Sequence, residues 1–456
     1  MSVIVLQNCA VATVTGEEYL DGHVVVRDGR IAAVGSGHAG RFSGEQIRMI
    51  DATGCLVTPG LVNTHHHLYQ WATRGMAVDR NLFDWLTELY PVWAHIDAPL
   101  VEATTAAGLA WLALSGCTMS MDHHYVYPHS TEEPAGDLFA AQVDAARRIG
   151  LRFHPTRGSM DLGESQGGLP PDRIVEETDA ALAATEEAID RWHDPSPDST
   201  LRVAVAPCSP FSVTPRLMTE AAELARRKGV RLHTHLAETV EEEEFCRKTH
   251  DCTPTEYAER LGWLGDDVWL AHGVHLNSDA IGRLGATGTG VAHCPSSNGR
   301  LGAGIAPVRQ LLDAGVPVGL GVDGPASQEA GRLGDELRQS LLAARLRGGP
   351  AALTAREALS MATIGGARCL GRDAETGSIE KGKLADLAVW RLDGIGQVGM
   401  DDPVVALVYG AQPPLELLLV GGETVVRHGE LQTGDTDTLA RGLRRAHRQL
   451  MKRARA

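Results

Sequence analysis

Three consecutive histidines occur two residues after an apolar run near the start of the chain, in the stretch CLVTPGLVNTHHHLYQ. Side chains two positions apart in a strand lie on the same face, so His65 and His67 can point together while His66 points away. Two imidazoles at this spacing are a natural pair of ligands for a metal ion. Because a single histidine pair can equally be structural, this interpretation depends on partners elsewhere in the chain.

Other imidazole and carboxylate groups stand at the ends of further apolar runs, and together they could complete a metal site. They are His123, His124, His233, His235, Glu238, His272, His275, His293 and Asp323. Three imidazoles and one carboxylate suit a single Zn²⁺ or Fe²⁺, with a solvent molecule completing the coordination. The predicted ligands, with Zn²⁺ favoured over Fe²⁺, are His65, His67, His235 and Asp323.

Two histidines of VRLHTHLAE, His233 and His235, share a strand face, so the spacing alone leaves the choice between them open. We favour His235 as the ligand because Glu238 follows it closely and would return over the metal as the strand ends. His233 lies one layer deeper and is predicted to be a buried, hydrogen-bonded strand residue. Structural roles are also predicted for His124, His154 and His275.

The predicted metal site indicates hydrolytic chemistry. A bound divalent metal lowers the pKa of its water ligand to about 7, which makes a hydroxide nucleophile available at neutral pH. Glu238 could then protonate a ring nitrogen and pass a proton to departing ammonia. Asp323 could accept the water proton, His272 could stabilise the charged adduct, and His293 could orient substrate or water. Glu238 could instead belong to a surface ion pair, since an acidic run follows at 241–244, which we interpret as a solvated helix face.

The elements that must position these residues are eight short apolar segments, each followed by a helical pattern. Strand–helix alternation is typical of parallel strand pairing. Eight such units over about 300 residues predict a (β/α)₈ barrel of the TIM type. In that fold catalytic groups project from the C-terminal ends of the strands, which is where the polar residues fall.

Both ends of the chain have a different pattern, with short alternating strands around Asp28-Gly29 and again around Gly421-Gly422. Such turns are hairpin signals, and their presence at both ends predicts that the termini meet in one small β domain. We therefore predict an α/β protein with a barrel and an added β-sandwich. The predicted domains are a composite β-sandwich from 1–58 and 366–432, a catalytic barrel at 59–365 and a C-terminal helix at 433–456.

Composition narrows the classes of function. The formal net charge is −16, so the sequence lacks the excess positive charge expected of a protein that binds nucleic acid or an anionic membrane. Neither a basic leader nor an apolar run of the roughly 18 to 20 residues that span a bilayer is visible. The eight cysteines are scattered without CxxC pairs, which favours a reducing cytoplasm over a disulfide framework.

Five motifs, PGLVNTHHH, HTHLAE, WLAHGVH, HCPSSN and GLGVDG, occur in an order that resembles the amidohydrolase superfamily. The end segments GSIEKGKLADLAVW and LVGGETVVRHGEL are similar to its split β-sandwich, so the resemblance covers nearly the whole chain. Some members bridge two metals with a carbamylated lysine on the fourth strand. The corresponding LRVAVAPCSPFSV has no lysine, which implies the mononuclear branch. That branch removes amino groups from purines, pterins, cytosine-like rings and s-triazines.

Within this branch, further stretches such as LFDWLTELYPVW, SGCTMSMDHHYVYP and RGSMDLGESQGGLPPD look most like deaminases of 8-oxoguanine. The resemblance implies hydrolysis of 8-oxoguanine, or of a related purine, pterin or pyrimidine, with 8-oxoguanine giving urate and ammonia. It places near the ring Gln70, Trp85, His123, Tyr125, Arg157 and Ser159. Trp85 could instead be a packing residue, because its segment also has the pattern of an apolar helix face.

The sequence departs from the expected pattern at two places. Pro325 and Gln328 follow Asp323 where small residues and an asparagine are expected, and Gly299 replaces a larger side chain. A proline fixes the loop and a glycine widens a pocket, so we expect both changes to alter the substrate region. Two alternatives follow: an s-triazine hydrolase that removes chloride or an alkylamine, and a non-catalytic scaffold. The expected partner is a small molecule, with a homo-oligomer possible and neither nucleic acid nor membrane expected.

Overall fold

The eight apolar segments of the middle of the chain form a closed barrel in the computed structural model, which describes residues 2–40, 46–129 and 135–455. All neighbouring barrel strands pair in parallel, as the strand–helix alternation predicts. The barrel strands are β6 (Leu61–Asn63), β7 (Cys117–His124), β8 (Arg152–Ser159), β9 (Ala204–Pro207), β10 (Leu232–Leu236), β11 (Val268–His272), β12 (Gly290–His293) and β13 (Val318–Leu320).

The barrel is filled at one end by apolar side chains, which leaves the other end for polar groups. A buried cluster there contains residues from five barrel strands. Two residues from later in the chain, Cys369 and Leu370, belong to the same cluster. The strand members of the cluster are Val62, Met119, Met121, Ala204, Trp269 and Ala292. Every described residue of the eight strands is buried, so a polar residue at a strand end faces protein rather than bulk water.

Strands from both ends of the chain form one further sheet of nine strands, which confirms that the two ends meet. The sheet has a core of its own, with Leu6 and Val26 from the first strands packed against Leu387 and Leu417 from the last ones. Its members are β1 (Ser2–Ala12), β2 (Glu18–Arg27), β3 (Arg30–Ser36), β4 (Gln46–Asp51), β5 (Cys55–Pro59), β14 (Leu387–Arg391), β15 (Leu415–Val420), β16 (Glu423–Arg427) and β17 (Glu430–Leu431).

The chain passes from this sheet into the barrel at Gly60, between β5 and β6. A buried ion pair ties the two together, since Nε of Arg152 in the barrel lies 2.7 Å from Oδ2 of Asp386 beside β14. The predicted boundary at 365/366 remains a prediction. Cys369, just beyond that boundary, packs with the barrel strands.

Helices cover the outside of the barrel and follow the sequence signals for helix ends. In α5, the Thr214 side chain accepts a hydrogen bond from the N–H of Leu217, and Gly229 ends the helix with φ +68°. The helices are α1 (Leu82–Trp93), α2 (Ala98–Leu114), α3 (Leu138–Ile149), α4 (Thr178–Trp192), α5 (Pro215–Lys228), α6 (Val240–His250), α7 (Pro254–Arg260), α8 (Ser278–Thr287), α9 (Pro295–Arg300), α10 (Val308–Asp313), α11 (Leu333–Gly348), α12 (Ala355–Ser360), α13 (Gly366–Cys369), α14 (Pro403–Tyr409) and α15 (Thr436–Arg453).

The last helix, α15, lies within the predicted C-terminal segment and is not solvated on all sides. Ala446 and Leu450 are buried, and His447 Nδ1 hydrogen-bonds the carbonyl oxygen of Ala72 at 2.7 Å. Within the described ranges, no helix combines the length and the apolar character needed to cross a bilayer.

Candidate metal centre and active site

Side chains from three strand ends converge at the polar mouth of the barrel. His65 and His67 follow β6, His235 lies in β10, and Asp323 follows β13. Nε2 of His67 lies 3.1 Å from Nε2 of His235 and 3.2 Å from Oδ1 of Asp323. Nε2 of His65 lies 3.3 Å from the same carboxylate oxygen. Four potential ligand atoms therefore surround one point, and all four side chains are buried.

The hydrogen bonds behind two of these imidazoles determine where their protons lie. Nδ1 of His67 is 2.7 Å from the carbonyl oxygen of His123, and Nδ1 of His235 is 2.7 Å from that of Cys208. A carbonyl oxygen can only accept, so each Nδ1 carries a proton, and in the neutral form of each ring Nε2 carries a lone pair.

A second imidazole supports His65 in the same way. Nδ1 of His233 donates to the carbonyl oxygen of Trp269 at 2.8 Å, which leaves Nε2 of His233 as an acceptor. Nδ1 of His65 lies 2.8 Å from that nitrogen and so donates to it. Within the part of the chain that the structure describes, Nε2 of His65 is then a buried lone pair without a hydrogen-bond partner. The structure thus places His235 among the converging ligand atoms and His233 behind them, as a proton acceptor.

The remaining ligand, Asp323, is held by its own loop. Its φ of +62° is a left-handed conformation that residues other than glycine seldom adopt. Oδ1 accepts from the N–H of Gly324 at 2.7 Å, while Oδ2 accepts from the hydroxyls of Ser297 at 2.5 Å and Ser327 at 3.2 Å. These three donors orient the carboxylate toward the histidines.

The donor set fits one divalent metal ion. Burial lowers the pKa of His65 and of His235 well below its usual value, so both rings are neutral, as metal ligands must be. Three inward lone pairs beside a carboxylate repel one another unless a cation lies between them. The residues that would hold it are His65, His67, His235 and Asp323. When bound, such an ion lowers the pKa of a coordinated water and so supplies a hydroxide at neutral pH.

A cavity opens directly above this group, and His67, His235 and Asp323 form part of its lining. Its walls combine apolar side chains with a few polar ones. The lining residues outside the metal group are Gln70, Leu82, Trp85, Leu86, Tyr90, Tyr125, Cys208, Ser209, Phe211, Glu238, His272, Leu301 and Ser327. The cavity therefore offers a mostly apolar space next to the potential metal ligands.

Glu238 and His272 lie side by side in the cavity wall. Oε2 of Glu238 is 3.5 Å from Nε2 of His272, and both residues are almost completely buried. Burial, with the nearby charge of Asp323, raises the pKa of Glu238 well above its usual value. Nδ1 of His272 is 3.0 Å from the amide oxygen of Asn298 and donates to it, which leaves Nε2 facing Glu238. A protonated Glu238 can therefore act as an acid in a site that excludes bulk water.

The structure brings only some of the predicted substrate contacts to the cavity. Gln70, Trp85 and Tyr125 line it. His123 lies below them, with its ring stacked 4.7 Å from that of His235 and its Nε2 bonded to the carbonyl oxygen of Ala206. His293 is buried with both ring nitrogens unpartnered, and it is not part of the cavity lining.

Arg157 and Ser159 are not brought to the cavity. Nη2 of Arg157 lies 2.6 Å from a carboxylate oxygen of Glu176, and its guanidinium stacks 3.5 Å from the centre of the Tyr127 ring. Its charge is therefore satisfied within the protein. Ser159 is buried at the end of β8 and, like Arg157, is absent from the cavity lining.

The residues that depart from the expected family pattern also lie outside the cavity lining, contrary to our expectation. Nε2 of Gln328 donates to Oε1 of Glu336 at 2.7 Å, so this side chain braces a loop. Gly299 is exposed, and a Cβ added there would meet no atom within 4 Å. Pro325 is buried in the same loop as Gln328 without lining the cavity.

The expectation that residues 241–244 form a wholly solvated helix face is wrong for one member. Glu242 is completely buried and accepts hydrogen bonds from the backbone N–H groups of Ala237 and Glu238, at 2.8 and 3.0 Å. The sequence carries one signal of this role, a glutamate four residues after Glu238. The serines that hold Asp323 were likewise not singled out, because only their tertiary contacts distinguish them.

We expect His233→Ala to weaken metal binding by about 10- to 100-fold without removing a ligand, because His65 loses the acceptor that fixes its proton on Nδ1. The dissociation constant for Zn²⁺, measured by competition with a chelating dye, checks this. His129→Ala changes an exposed histidine and serves as the control. Equal metal affinities in both variants would exclude a supporting role for His233.

A closed parallel barrel with three imidazoles and a carboxylate at its strand ends, below an acid–base pair, defines a metal-dependent hydrolase of the (β/α)₈ class. The amidohydrolase family model matches residues 56–425, and the chain belongs to that family. This finding confirms the resemblance seen in the motifs.

Two characterised relatives and a solved structure are similar over most of their length. The chain is 46% identical to an 8-oxoguanine deaminase of Pseudomonas aeruginosa over 421 residues, 92% of each protein. It is 39% identical to an isoxanthopterin deaminase of an unknown prokaryotic organism, over 89% of this chain and 87% of that protein. The crystal structure of an atrazine chlorohydrolase from Arthrobacter aurescens TC1, complexed with zinc, superposes with a TM-score of 0.90 at 33% identity. That match covers 97% of this chain and all of the other.

Proposed function

We propose that this protein catalyses the hydrolytic deamination of an amino-substituted aromatic heterocycle, with 8-oxoguanine as the first candidate and urate and ammonia as its products. The observation that carries the proposal is the buried Glu238 carboxyl in the wall of a small cavity, directly above four converging ligand atoms. The similarity to an 8-oxoguanine deaminase over nearly the whole chain supports the choice of substrate.

Zn²⁺ is the proposed metal. Three neutral imidazoles and one carboxylate form a donor set that zinc accepts readily, and Fe²⁺ is the alternative with similar ligand preferences. The zinc in the similar atrazine chlorohydrolase structure supports the first choice.

Glu238 is the proposed proton carrier. In its protonated form it donates to the ring nitrogen next to the carbon that bears the amino group, which makes that carbon more electrophilic. As water adds and the C–N bond breaks, Glu238 takes up one proton of the added water and transfers it to the departing nitrogen. The other water proton, held by Asp323, then returns to Glu238 and restores the acid. The balance is one water consumed, one ring carbonyl formed and one ammonia released.

Asp323 and His272 have complementary roles in this proposal. Asp323, held by two serine hydroxyls, accepts the first proton of the attacking water. His272 lies beside Glu238 and interacts with the oxygen that adds to the ring. Its left-handed φ of +73° directs the imidazole into the barrel mouth from the last residue of β11.

Gln70 is the proposed recognition residue for the ring edge. Its side chain is completely buried, and among the described residues neither its amide nitrogen nor its amide oxygen has a hydrogen-bond partner. A buried amide with both atoms free is costly unless a ligand pairs with it. A heterocycle with adjacent carbonyl and ring N–H groups offers that pairing, while Trp85 and Tyr125 supply flat contact surfaces. This proposal assigns no direct contact with the substrate to four other residues, which do not line the cavity: His123, Arg157, Ser159 and His293.

A second candidate function is hydrolysis of an s-triazine, with chloride or an alkylamine as the leaving group. The similarity to an atrazine chlorohydrolase structure favours it, since the same metal group and acid could serve both reactions. A non-catalytic scaffold is disfavoured by the complete ligand and acid–base set.

The experiment that tests the proposal is a substrate panel with the zinc-loaded protein. The panel contains 8-oxoguanine, guanine, isocytosine, pterins, and chloro- and alkylamino-s-triazines, and each reaction is assayed for ammonia, amine and chloride. We expect ammonia release with the highest kcat/KM on 8-oxoguanine. Release of chloride or alkylamine with higher efficiency would establish the second candidate instead, and turnover of none would contradict both.

We further propose a cytoplasmic location, supported by eight free and buried cysteines. We also propose that the protein forms a homo-oligomer, because large barrels of this type often assemble.

A further inference from the structure

The turn that carries Glu238 is conformationally strained. Ala237, the residue before it, has a φ of +54°, a left-handed conformation that residues with a Cβ adopt at a cost. The turn follows directly after β10, which ends at Leu236. A strained backbone persists only where its surroundings hold it, so this turn requires specific restraints.

Those restraints come from two sides of the turn. On one side, the carbonyl oxygen of Ala237 accepts hydrogen bonds from the N–H groups of Val274 and His275, at 2.8 and 2.9 Å. On the other side, the Glu242 carboxylate accepts from the N–H of Ala237 through Oε1 at 2.8 Å and from the N–H of Glu238 through Oε2 at 3.0 Å. The two peptide groups that flank Ala237 are therefore fixed.

Glu242 is an unusual choice if its only task is to begin a helix. It is the third residue of α6, completely buried, and no lysine or arginine pairs with it among the described residues. Burying a carboxylate without a cation is expensive, while an exposed serine, threonine or aspartate satisfies helix N–H groups at little cost. The N-cap residue of this helix, Thr239, makes no side-chain capping bond of its own.

We propose that Glu242 is a positioning residue that sets the Glu238 carboxyl above the metal ligands by bracing the strained turn between them. The inference rests on the proposed function, because it assigns Glu242 a role only through Glu238. It predicts that Glu242 acts on the proton-transfer step and has little influence on metal or ring binding, since its two hydrogen bonds end on the backbone of the turn.

The test compares Glu242→Gln, Glu238→Gln and the double variant, each loaded with zinc and assayed per bound metal. Glutamine keeps the size of Glu242 but leaves one of the two N–H groups without an acceptor. We expect kcat of Glu242→Gln to fall by roughly 10²-fold, the typical effect of misplacing a reacting group by about 1 Å, with KM and zinc content little changed. Glu244→Gln, an exposed neighbour on the same helix, is the matched control and should retain wild-type kcat.

The double variant separates positioning from general support. If Glu242 acts through Glu238, adding Glu242→Gln to Glu238→Gln causes no further loss, because the group being positioned is already absent. A multiplicative loss in the double variant, or a wild-type kcat in Glu242→Gln, overturns the inference. A wild-type kcat in Glu238→Gln instead contradicts the proposed function, so the two failures are distinguishable.

A rescue experiment distinguishes a loss of positioning in Glu242→Gln from misfolding of the variant. Glycine adopts a positive φ freely, so Ala237→Gly lowers the need for a brace. We expect Ala237→Gly to restore part of the kcat lost in Glu242→Gln. Failure to recover metal-loaded protein with Glu242→Gln in either background overturns the inference, since Glu242 would then be required for folding itself.

Discussion

Glu238→Gln is expected to lower kcat for deamination by about 10²- to 10⁴-fold while the protein keeps its metal. Glutamine has nearly the same shape and can still hydrogen-bond, but it cannot deliver a proton to a ring nitrogen or carry one to departing ammonia. The carboxyl lies in the cavity wall and not among the converging ligand atoms, so zinc content should stay near one per chain. Ammonia release and elemental analysis on the same preparation measure both quantities.

The pH profile of this variant adds a second check. If Glu238 is the acid, the wild-type profile of kcat falls at high pH as the carboxyl ionises, and this limb disappears in Glu238→Gln. Burial raises the pKa of Glu238 well above its usual value, so the limb should lie far above the pKa of a free glutamate. Near-wild-type turnover in Glu238→Gln would remove this residue from the mechanism.

His67→Ala is expected to lose bound metal and activity together. Nε2 of His67 contacts both His235 and Asp323 within 3.2 Å, so this imidazole occupies the middle of the ligand group. Its removal takes one of the four ligands from the middle of the group, and the two imidazoles and the carboxylate that remain are positioned for a four-ligand site. Metal content by elemental analysis and ammonia release should fall in proportion, and excess Zn²⁺ should recover little activity.

The neighbouring His66→Asn is the control for this loss. Nδ1 of His66 accepts the backbone N–H of His67 at 2.9 Å, and an asparagine side chain retains an acceptor near that position. We expect this variant to keep its zinc. Metal retention in His67→Ala, or equal loss in both variants, would mean that the assignment of ligands by strand face is incorrect.

The barrel could be predicted from the sequence because its physical signals are local. Each strand is a short apolar run that ends in polar residues, and the intervening helices carry their own caps and glycine stops. The convergence of His65, His67, His235 and Asp323 followed from the same logic, since the C-terminal ends of barrel strands share one mouth. The hairpin signals at the two chain ends predicted that the termini share a sheet.

The features that the sequence did not indicate concern side chains whose partners are distant in sequence. The ion pair of Arg157 with Glu176, 19 residues further along the chain, is one example. Gln328 was expected to shape the cavity, and the structure turns it toward Glu336. Glu242 stands in a run of four glutamates, and only the path of the turn after β10 distinguishes it from its solvated neighbours. The periodicity of the sequence indicates on which side of a helix or strand a residue lies. It does not indicate which distant residue that side chain contacts in the folded protein.

Anomalous diffraction at the zinc absorption edge, on crystals of the zinc-loaded protein, tests the central claim most directly. We expect one strong peak bound by Nε2 of three histidines and a carboxylate oxygen, at the roughly 2.0 to 2.2 Å typical of zinc. The ligands should be His65, His67, His235 and Asp323. A peak elsewhere in the barrel, a second metal at the mouth, or a zinc ion bound through His233 in place of His235 would contradict the account.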